Sequence, residues 1–281
     1  MTRIIYDLFV QIPGFYVNMN PNHIGAEEVE FFQENGYLRI PGFFSKDEVT
    51  ELREALDKTV AEKRERILGG GRETDEDYNR VFHQMVNLWV DHDVIRKYSF
   101  DARLAEIARK ISKCKRLVIY HDHGLIKPGG ERSKETNWHQ DAPYWPMDQV
   151  GALSAWIAVD DVTVDNGCMQ FIPGSHQYGR LAPVPLSTEG ASVLKEIEGT
   201  DVEVEVEPIV MEMEAGGVTF HHGCTFHYAT SNRTDSPRRA LAIIYIPEYV
   251  NYNGRWDAGG DQTLKPGEPF GGPLHPILAS G

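Results

Sequence analysis

Two side chains able to bind a metal stand two positions apart in an aromatic stretch near the middle of the chain. The stretch reads ETNWHQDAPYWP and contains His139 and Asp141. In an extended strand, residues at i and i+2 point to the same face of the sheet, so both side chains would face one cavity. This pattern indicates part of a metal site whose third ligand comes from elsewhere. An exposed histidine beside a turn aspartate explains the pair equally well until a further ligand is found.

A second histidine cluster supplies candidates for that third ligand. The segment GGVTFHHGCTFHYATSNRTDSP contains His221, His222 and His227 between a glycine pair and a turn. Two neutral imidazoles and one carboxylate on one face of a metal leave three coordination positions open, which suits Fe(II) binding a cosubstrate and O2 together. A zinc hydrolase uses the same ligand types but also needs a general base. Adjacent His221 and His222 point to opposite faces of a strand, so one of them can lie near the metal without binding it.

The elements that must position these residues fall into two groups along the chain. Apolar residues at helical spacing, Gly36 as a helix end and a capping box formed by Ser45 and Glu48 predict helices in the first part. The segment YLRIPGF between the first two helices predicts a strand. The predicted helices cover 24–35, 45–67, 91–98 and 101–112.

The second part of the chain has the texture of a β-structure. From residue 115 onward, short alternating runs such as RLVIYHDHGLIK, LSAWIAVDDV and RALAIIYIPE are separated by Gly, Pro, Asn and Asp. Several short strands divided by turns predict an antiparallel sandwich or barrel. Helices that precede the strands, instead of alternating with them, argue against a doubly wound parallel sheet. The predicted fold class is therefore mainly β with packed α-helices.

The composition argues against several classes of partner. The chain has 281 residues, of which 25% are charged, and a formal net charge of −14. That charge, with no basic run and no long apolar segment, argues against nucleic-acid and membrane binding. Asp7 interrupts the first apolar patch and no small-residue cleavage site follows, so no signal peptide is predicted. Three isolated cysteines, at positions 114, 168 and 224, make a disulfide framework or a thiolate zinc site unexpected and favour a cytoplasmic location.

Three segments together resemble one family of oxygenases. HQDAPYW, DDVTVDNGCMQFIPGSH and the stretch from His227 to Arg238 are similar to motifs of the phytanoyl-CoA hydroxylase-like (PhyH) family of Fe(II)- and 2-oxoglutarate-dependent dioxygenases. The resemblance covers about residues 25–248. It implies that His139, Asp141 and His227 bind the iron. It also implies a double-stranded β-helix, which is a jelly-roll or cupin-like barrel.

The whole chain, 1–281, is predicted to form this one domain. Its parts are an N-terminal arm at 1–22, a mostly helical support at 23–112, a jelly-roll core at 115–248 and a C-terminal coil or lid at 249–281. The coil or lid is predicted because the tail is rich in Gly and Pro.

The resemblance also implies a binding site for 2-oxoglutarate. The family pattern has an arginine eleven residues after the distal histidine, and here that residue is Arg238. It would bind the far carboxylate of 2-oxoglutarate, for which a planar, always-charged guanidinium is better suited than an ammonium. Arg239, its neighbour on the strand, should face away. Trp156 and Lys127 resemble family positions beside the same pocket. The alternatives are a surface salt bridge for Arg238, a core aromatic for Trp156 and a surface lysine before a turn for Lys127.

The implied reaction uses Fe(II), 2-oxoglutarate and O2 to hydroxylate an unactivated C–H bond of a small-molecule substrate, with release of succinate and CO2. The same centre can perform desaturation, epimerisation or ring formation. Halogenating relatives have Gly or Ala at the position of Asp141, so this carboxylate argues against halogenation. Gln84, Tyr144 and Trp145 are predicted substrate contacts, because aromatic walls and one amide suit a small-molecule pocket. Two other classes stay open, namely a divalent-metal hydrolase or isomerase on a similar barrel and a non-catalytic ligand-binding barrel.

Overall fold

The structure of the protein is a computed structural model. It describes residues 24–62, 83–130, 133–186, 192–197, 207–255 and 260–281. The predicted N-terminal arm lies outside the described residues, as does the part of the second predicted helix beyond residue 62.

Most helices precede the long strands, as the sequence predicts. Helix α1 spans Ala26–Asn35 and ends at Gly36, whose φ of 78° is the left-handed conformation that glycine adopts without strain. Helix α2 spans Lys46–Glu62 and follows the predicted capping box, in which the Ser45 N–H donates to the Glu48 carboxylate and the Glu48 N–H donates to Ser45 Oγ. The remaining helices are α3 (Leu88–Asp91), α4 (Asp93–Ser99), α5 (Ala102–Ile111) and α6 (Val193–Glu196). Three predicted helices are confirmed apart from their ends, and the second is confirmed as far as residue 62.

The strands of the described residues form two antiparallel sheets. In chain order they are β1 (Tyr37–Ile40), β2 (His83–Val86), β3 (Arg116–Lys127), β4 (Thr136–His139), β5 (Leu153–Ala158), β6 (Met169–Phe171), β7 (Ile209–Val210), β8 (Val218–His222), β9 (His227–Ala229), β10 (Arg238–Pro247) and β11 (Ile277–Ser280). The seven-stranded sheet has the order β1-β8-β5-β10-β3-β11, with β2 also paired to β3. The four-stranded sheet has the order β4-β9-β6-β7.

The two sheets pack face to face, and apolar side chains from both sheets meet between them. Trp156 of β5 and Ala242 of β10 share one buried cluster with Met169 and Phe171 of the smaller sheet. On the other face of β10, alternate residues such as Ile243 pack in a second cluster with residues of the helices. Side chains that alternate along β10 therefore serve two cores, one inside the barrel and one beneath the helical layer. The mainly β, jelly-roll fold predicted from the sequence is confirmed.

Two strands lie in segments for which the sequence predicted no strand. Strand β2 lies in the part predicted to be mostly helical and pairs with β3 of the large sheet, whereas β1, in the same part, agrees with the strand predicted for YLRIPGF. The predicted coil or lid at 249–281 contains β11, which pairs with β3 through Ile277 and Val118. β2 (HQMV) and β11 (ILAS) have four residues each and no regular alternation of apolar and polar residues, so the sequence contains no strand signal for them. Among the described helices, none has both the length and the apolar character needed to span a membrane.

Candidate metal and cosubstrate site

Three candidate ligands meet where β4 ends and β9 begins. His139 is the last residue of β4 and pairs directly with His227, the first residue of β9. Asp141 follows at the start of a 3₁₀ turn over Ala142–Tyr144. One ligand atom from each of the three residues lies within 4.8 Å of the others. The sequence prediction that these residues come together is therefore met by the geometry of the fold.

Asp141 does not belong to the strand that was expected to carry it. Its backbone has φ −78° and ψ −40°, a helical conformation, and Pro143 stands in the first turn that follows. Proline favours the first turn of a helix and cannot donate to a strand ladder, so β4 stops at His139. The turn is tied to the large sheet by the Ala142 N–H, which donates to Gly223 O at 2.8 Å. The turn places the carboxylate beside the histidines, so Asp141 does not reach them as the i+2 residue of an extended strand.

Backbone carbonyls fix the tautomer of both candidate histidine ligands. His139 Nδ1 lies 2.6 Å from Asn137 O, and His227 Nδ1 lies 3.0 Å from Thr225 O. A carbonyl oxygen only accepts, so each Nδ1 carries a proton, and Nε2 is the ring nitrogen left to bind a metal. Burial, followed by the neighbouring His139, lowers the pKa of His227 to about 3, so this imidazole is neutral at pH 7.

The Nε2 atoms of both histidines face the carboxylate. The distance to Asp141 Oδ1 is 3.7 Å from His139 Nε2 and 3.5 Å from His227 Nε2. Burial acts to raise the pKa of Asp141, but the neighbouring histidines outweigh it and hold this pKa well below its usual range. Two neutral imidazoles and one ionised carboxylate are the donor set of a non-haem Fe(II) centre with open positions. The residues present therefore fit an iron ion.

The adjacent histidines of β8 face opposite ways. His221 Nε2 lies 3.2 Å from Asp141 Oδ2, which places His221 beside the candidate ligands. His222 accepts a hydrogen bond from the Cys224 N–H on Nδ1, and its ring lies 5.3 Å from that of His176. His176 in turn contacts Gln33 O, 3.1 Å from its Nε2. His221 therefore lies near the site, whereas His222 and His176 join α1 to the barrel.

The residues predicted to bind 2-oxoglutarate form a buried group at the start of β10. Arg238 is 1% exposed and pairs directly with Lys127 across β3 and β10. Its Nη1 donates to Gly167 O at 2.7 Å, and its guanidinium carbon lies 5.1 Å from the centroid of the Trp156 ring. Lys127 Nζ donates to Thr136 Oγ1 at 3.4 Å. Because both cationic residues are buried, the surface alternatives for Arg238 and Lys127 are wrong.

This group is suited to an anion. Burial lowers the pKa of Arg238 to about 10, so its guanidinium stays charged at pH 7. Burial and then the neighbouring Arg238 hold the pKa of Lys127 well below its usual range. The lowered pKa values of both residues show that two positive charges side by side are unfavourable in this buried place. A bound carboxylate would offset that cost.

The neighbouring arginine points to the opposite face of β10. Arg239 Nε lies 2.6 Å from Asp57 Oδ1, and Arg239 Nη1 lies 3.1 Å from Asp160 Oδ2. Its backbone N–H also donates to Asp160 Oδ2, at 2.8 Å. Arg239 therefore joins α2 to the large sheet, and the strand register predicted for the two arginines agrees with these contacts.

The predicted substrate contacts lie in different surroundings. The Tyr144 ring centroid is 6.5 Å from that of His139, and the Tyr144 hydroxyl donates a hydrogen bond to the Val184 carbonyl oxygen. Trp145 is buried in an apolar cluster and packs so closely on Gly223 that a Cβ there would lie 2.4 Å from the ring. The structure therefore brings Tyr144 close to the site and packs Trp145 as core. Gln84 lies on β2, paired with Leu125, and its side chain is outside the described part of the chain.

Two further histidines line the barrel and were given no role from the sequence. His121 and His123 pair with Ile244 and Ala242 of β10, whose side chains belong to the barrel interior. Their ring centroids are 4.2 Å apart. Burial lowers the pKa of His123 to about 4 and that of His121 well below the usual range, so both rings are neutral at pH 7. The alternation in RLVIYHDHGLIK already placed both on one face, but nothing in the sequence showed which face was the interior.

The fold and these residues define a class of protein, the non-haem iron oxygenases built on a jelly-roll barrel. Residues 32–240 match the model of the family described as Phytanoyl-CoA dioxygenase (PhyH). The chain belongs to this family. It is an Fe(II)- and 2-oxoglutarate-dependent dioxygenase, as the sequence predicts.

Relatives and solved structures agree with this assignment. The chain is 31% identical over 236 residues to the dioxygenase lolE1 of Epichloe uncinata, which covers 79% of this chain and 82% of that protein. It is 29% identical over 235 residues to the ectoine dioxygenase of Stutzerimonas stutzeri (strain A1501), covering 79% of this chain and 76% of that protein. Among solved structures, the non-heme alpha ketoglutarate dependent carbocyclase SnoK superposes with a TM-score of 0.77 at 27% identity, over 93% of this chain and 99% of SnoK. The epimerase SnoN, solved with Fe3+, alpha ketoglutarate and nogalamycin RO, gives 0.73 at 26% identity, over 90% of this chain and 98% of SnoN.

Proposed function

We propose that His139, Asp141 and His227 hold the catalytic Fe(II), and that Arg238, with Lys127 and Trp156, holds 2-oxoglutarate. The proposal is carried by one observation, the convergence of two Nε2 lone pairs and one carboxylate oxygen within 4.8 Å. Bound iron and 2-oxoglutarate supply the activation of O2 that oxidises a C–H bond of the substrate, with release of succinate and CO2.

The protein's own residues bind and orient the iron and 2-oxoglutarate, and their burial keeps water away. Asn137 O and Thr225 O hold the two imidazoles with Nε2 facing Asp141. Arg238 lies in a dry environment, where a bidentate contact to a carboxylate is stronger than in water. Trp156 stacks against this guanidinium and limits where it can point. Together these contacts prepare the site before the substrate arrives.

Hydroxylation of a small molecule is the outcome we propose. Ring formation or epimerisation is a second candidate, because the carbocyclase SnoK and the epimerase SnoN both share this fold with 26–27% identity. A divalent-metal hydrolase or isomerase that works without 2-oxoglutarate and a non-catalytic barrel are not proposed, because the chain matches a family described as a dioxygenase and resembles enzymes that depend on alpha ketoglutarate.

The substrate and the location of the protein are proposed on chemical grounds. The solved relatives bind small molecules such as nogalamycin RO, and Tyr144 offers an aromatic surface near His139 for a comparable ligand. Three buried free cysteines suit a reducing cytoplasm.

Anaerobic titration tests the site. Fe(II) added with 2-oxoglutarate should give a visible metal-to-ligand charge-transfer band, and neither reagent alone should do so. Absence of the band with pure, folded protein would contradict the assigned site. A panel of small molecules screened for substrate-dependent succinate would then identify the substrate, and product masses would distinguish hydroxylation from ring formation or epimerisation.

A further inference from the structure

Ser154 and His221 are cross-strand neighbours whose side chains meet at one carboxylate oxygen. They pair directly between β5 and β8, and they are 2% and 3% exposed. Ser154 Oγ donates to Asp141 Oδ2 at 3.2 Å, and His221 Nε2 lies 3.2 Å from the same oxygen. An ionised carboxylate only accepts, so His221 Nε2 carries the proton. Two donors from the large sheet thus hold one oxygen of a residue that follows β4 of the small sheet.

The two oxygens of Asp141 therefore have different surroundings. Oδ1 is the oxygen that faces the Nε2 atoms of His139 and His227, at 3.7 and 3.5 Å. Oδ2 contacts the hydroxyl and the imidazole of the cross-strand pair, each at 3.2 Å. One oxygen is directed at the metal position, and the other is occupied by the protein.

His221 lies beside this position without being a ligand. Among the described residues, the group whose ligand atoms lie within 4.8 Å of one another consists of His139, Asp141 and His227. The His221 ring is 4.9 Å from the His227 ring, but its Nε2 proton points at Asp141. Within the described part of the chain, His221 Nδ1 makes no hydrogen bond. The contact of Nε2 with Asp141 is therefore the hydrogen bond that this side chain makes there.

We propose that Ser154 and His221 are positioning residues that hold Asp141 as a one-oxygen iron ligand. The inference rests on the proposed assignment of Asp141 as a ligand. A facial set of three protein ligands leaves three positions, which 2-oxoglutarate and O2 fill together. A carboxylate that chelated through both oxygens would take one of these positions. Donors that satisfy Oδ2 oppose such chelation and fix the direction of Oδ1.

Titration of the apo-protein with Mn(II), followed by the EPR signal of the free ion, tests the proposal without turnover. His221→Phe keeps a ring but removes the donor, and Ser154→Ala removes the hydroxyl. We expect His221→Phe to bind Mn(II) about 10- to 100-fold more weakly, the range seen when such supporting partners are lost. His221→Gln keeps an N–H donor and should restore part of the affinity. His222→Phe, on the same strand but facing the opposite way, is the matched control and should bind like the parent.

A second readout separates positioning from general damage to the strand. At saturating Fe(II), the charge-transfer band formed with 2-oxoglutarate should be weaker in His221→Phe than in His222→Phe, while the thermal melts of the two apo-proteins show that both are folded. Recovery of the band in His221→Gln is the result that a merely structural role does not predict.

Each outcome supports or overturns the proposal. Parental Mn(II) affinity in folded His221→Phe would overturn it. If His221→Phe does not fold, Ser154→Ala decides, since weaker binding supports the proposal and parental binding overturns it. Failure of the parent to bind Mn(II), or parental binding by Asp141→Ala, would contradict the proposed ligand set itself. Loss of binding in Asp141→Ala with parental binding in both His221→Phe and Ser154→Ala would overturn this inference alone.

Discussion

At the scale of single residues, each proposed iron ligand has its own support. Carbonyl oxygens orient His139 and His227, and the cross-strand pair orients Asp141. A site with three protein ligands has no spare ligand, so losing one leaves too few donors to hold the metal. We expect alanine at position 139, 141 or 227 to abolish Fe(II)-dependent succinate formation and to weaken Mn(II) binding strongly.

His222→Ala is the control for this first prediction. His222 lies on the strand that contains His221 but contacts Cys224 and His176 instead of the ligands. Metal binding by this variant should match that of the parent. Parental activity in His227→Ala combined with lost activity in His222→Ala would show that the distal ligand had been assigned to the wrong histidine.

A second residue-scale prediction separates cosubstrate binding from metal binding. Loss of a desolvated charge pair typically weakens binding by about 2–5 kcal/mol. This is roughly a 30- to several-thousand-fold rise in the 2-oxoglutarate requirement. We expect this rise in Arg238→Ala with Fe(II) still bound, and a partial recovery in Arg238→Lys, because an ammonium lacks the planar fork. The measurement is anaerobic titration of each variant with 2-oxoglutarate.

Arg239→Ala is the matched control on the opposite face of the same strand. Its guanidinium pairs with Asp57 and Asp160, so its loss should affect stability more than 2-oxoglutarate binding. Weakened 2-oxoglutarate binding in Arg239→Ala with parental binding in Arg238→Ala would mean that the assigned residue is the wrong one of the two.

At the scale of elements, the turn before β6 packs against the two cationic residues of the proposed 2-oxoglutarate site. Gly167 has a φ of 87°, its carbonyl accepts from Arg238, and a Cβ there would lie 2.6 Å from Thr230 O and 2.9 Å from the Lys127 side chain. We expect Gly167→Ala to weaken 2-oxoglutarate binding and to lower the melting temperature, because the clash displaces both cationic residues. Gly267→Ala is the control, since its φ of 85° carries the same backbone strain with no atom within 4 Å. Equal effects of both variants on 2-oxoglutarate binding would rule out the proposed role of the turn.

Elements defined by local signals could be predicted from the sequence, and those defined by long-range pairing could not. The capping box at Ser45 and the glycine at position 36 set helix ends through contacts only a few residues apart. The position of Asp141 depended on Pro143 and the 3₁₀ turn around it, because β4 ends at His139, two residues earlier than an i, i+2 strand pair requires. The role of Ser154 depended on its register opposite His221, and the two are far apart in the chain. No local pattern could show that a serine in LSAWIAV lies against a carboxylate.

At the scale of the whole molecule, metal binding should stabilise the fold. His139 and His227 lie on adjacent strands of the small sheet, and Asp141 lies at a turn that is hydrogen-bonded to Gly223, at the end of β8 of the large sheet. A metal that binds only the folded state stabilises it by about 2.7 kcal/mol at one hundred times its Kd. For a chain of this size that corresponds to a rise in Tm of roughly 5 °C. Mn(II) with 2-oxoglutarate should therefore raise the Tm, and a chelator should reverse the rise.

Two variants separate the rise in Tm caused by Mn(II) from the rise caused by 2-oxoglutarate. Asp141→Ala should lose the whole metal-dependent rise in Tm, because the carboxylate supplies the only negative charge among the three proposed ligands. Arg238→Ala should keep the part caused by Mn(II) alone and lose the part added by 2-oxoglutarate, because it lies beside Trp156 and Lys127 and not among the ligands. The measurement is thermal unfolding of each variant with Mn(II), with 2-oxoglutarate and with both. An Mn(II)-dependent rise that persists in Asp141→Ala would mean that the ion stabilises the chain at some other place, since the acidic surface of a chain with a net charge of −14 offers other carboxylates to a divalent cation.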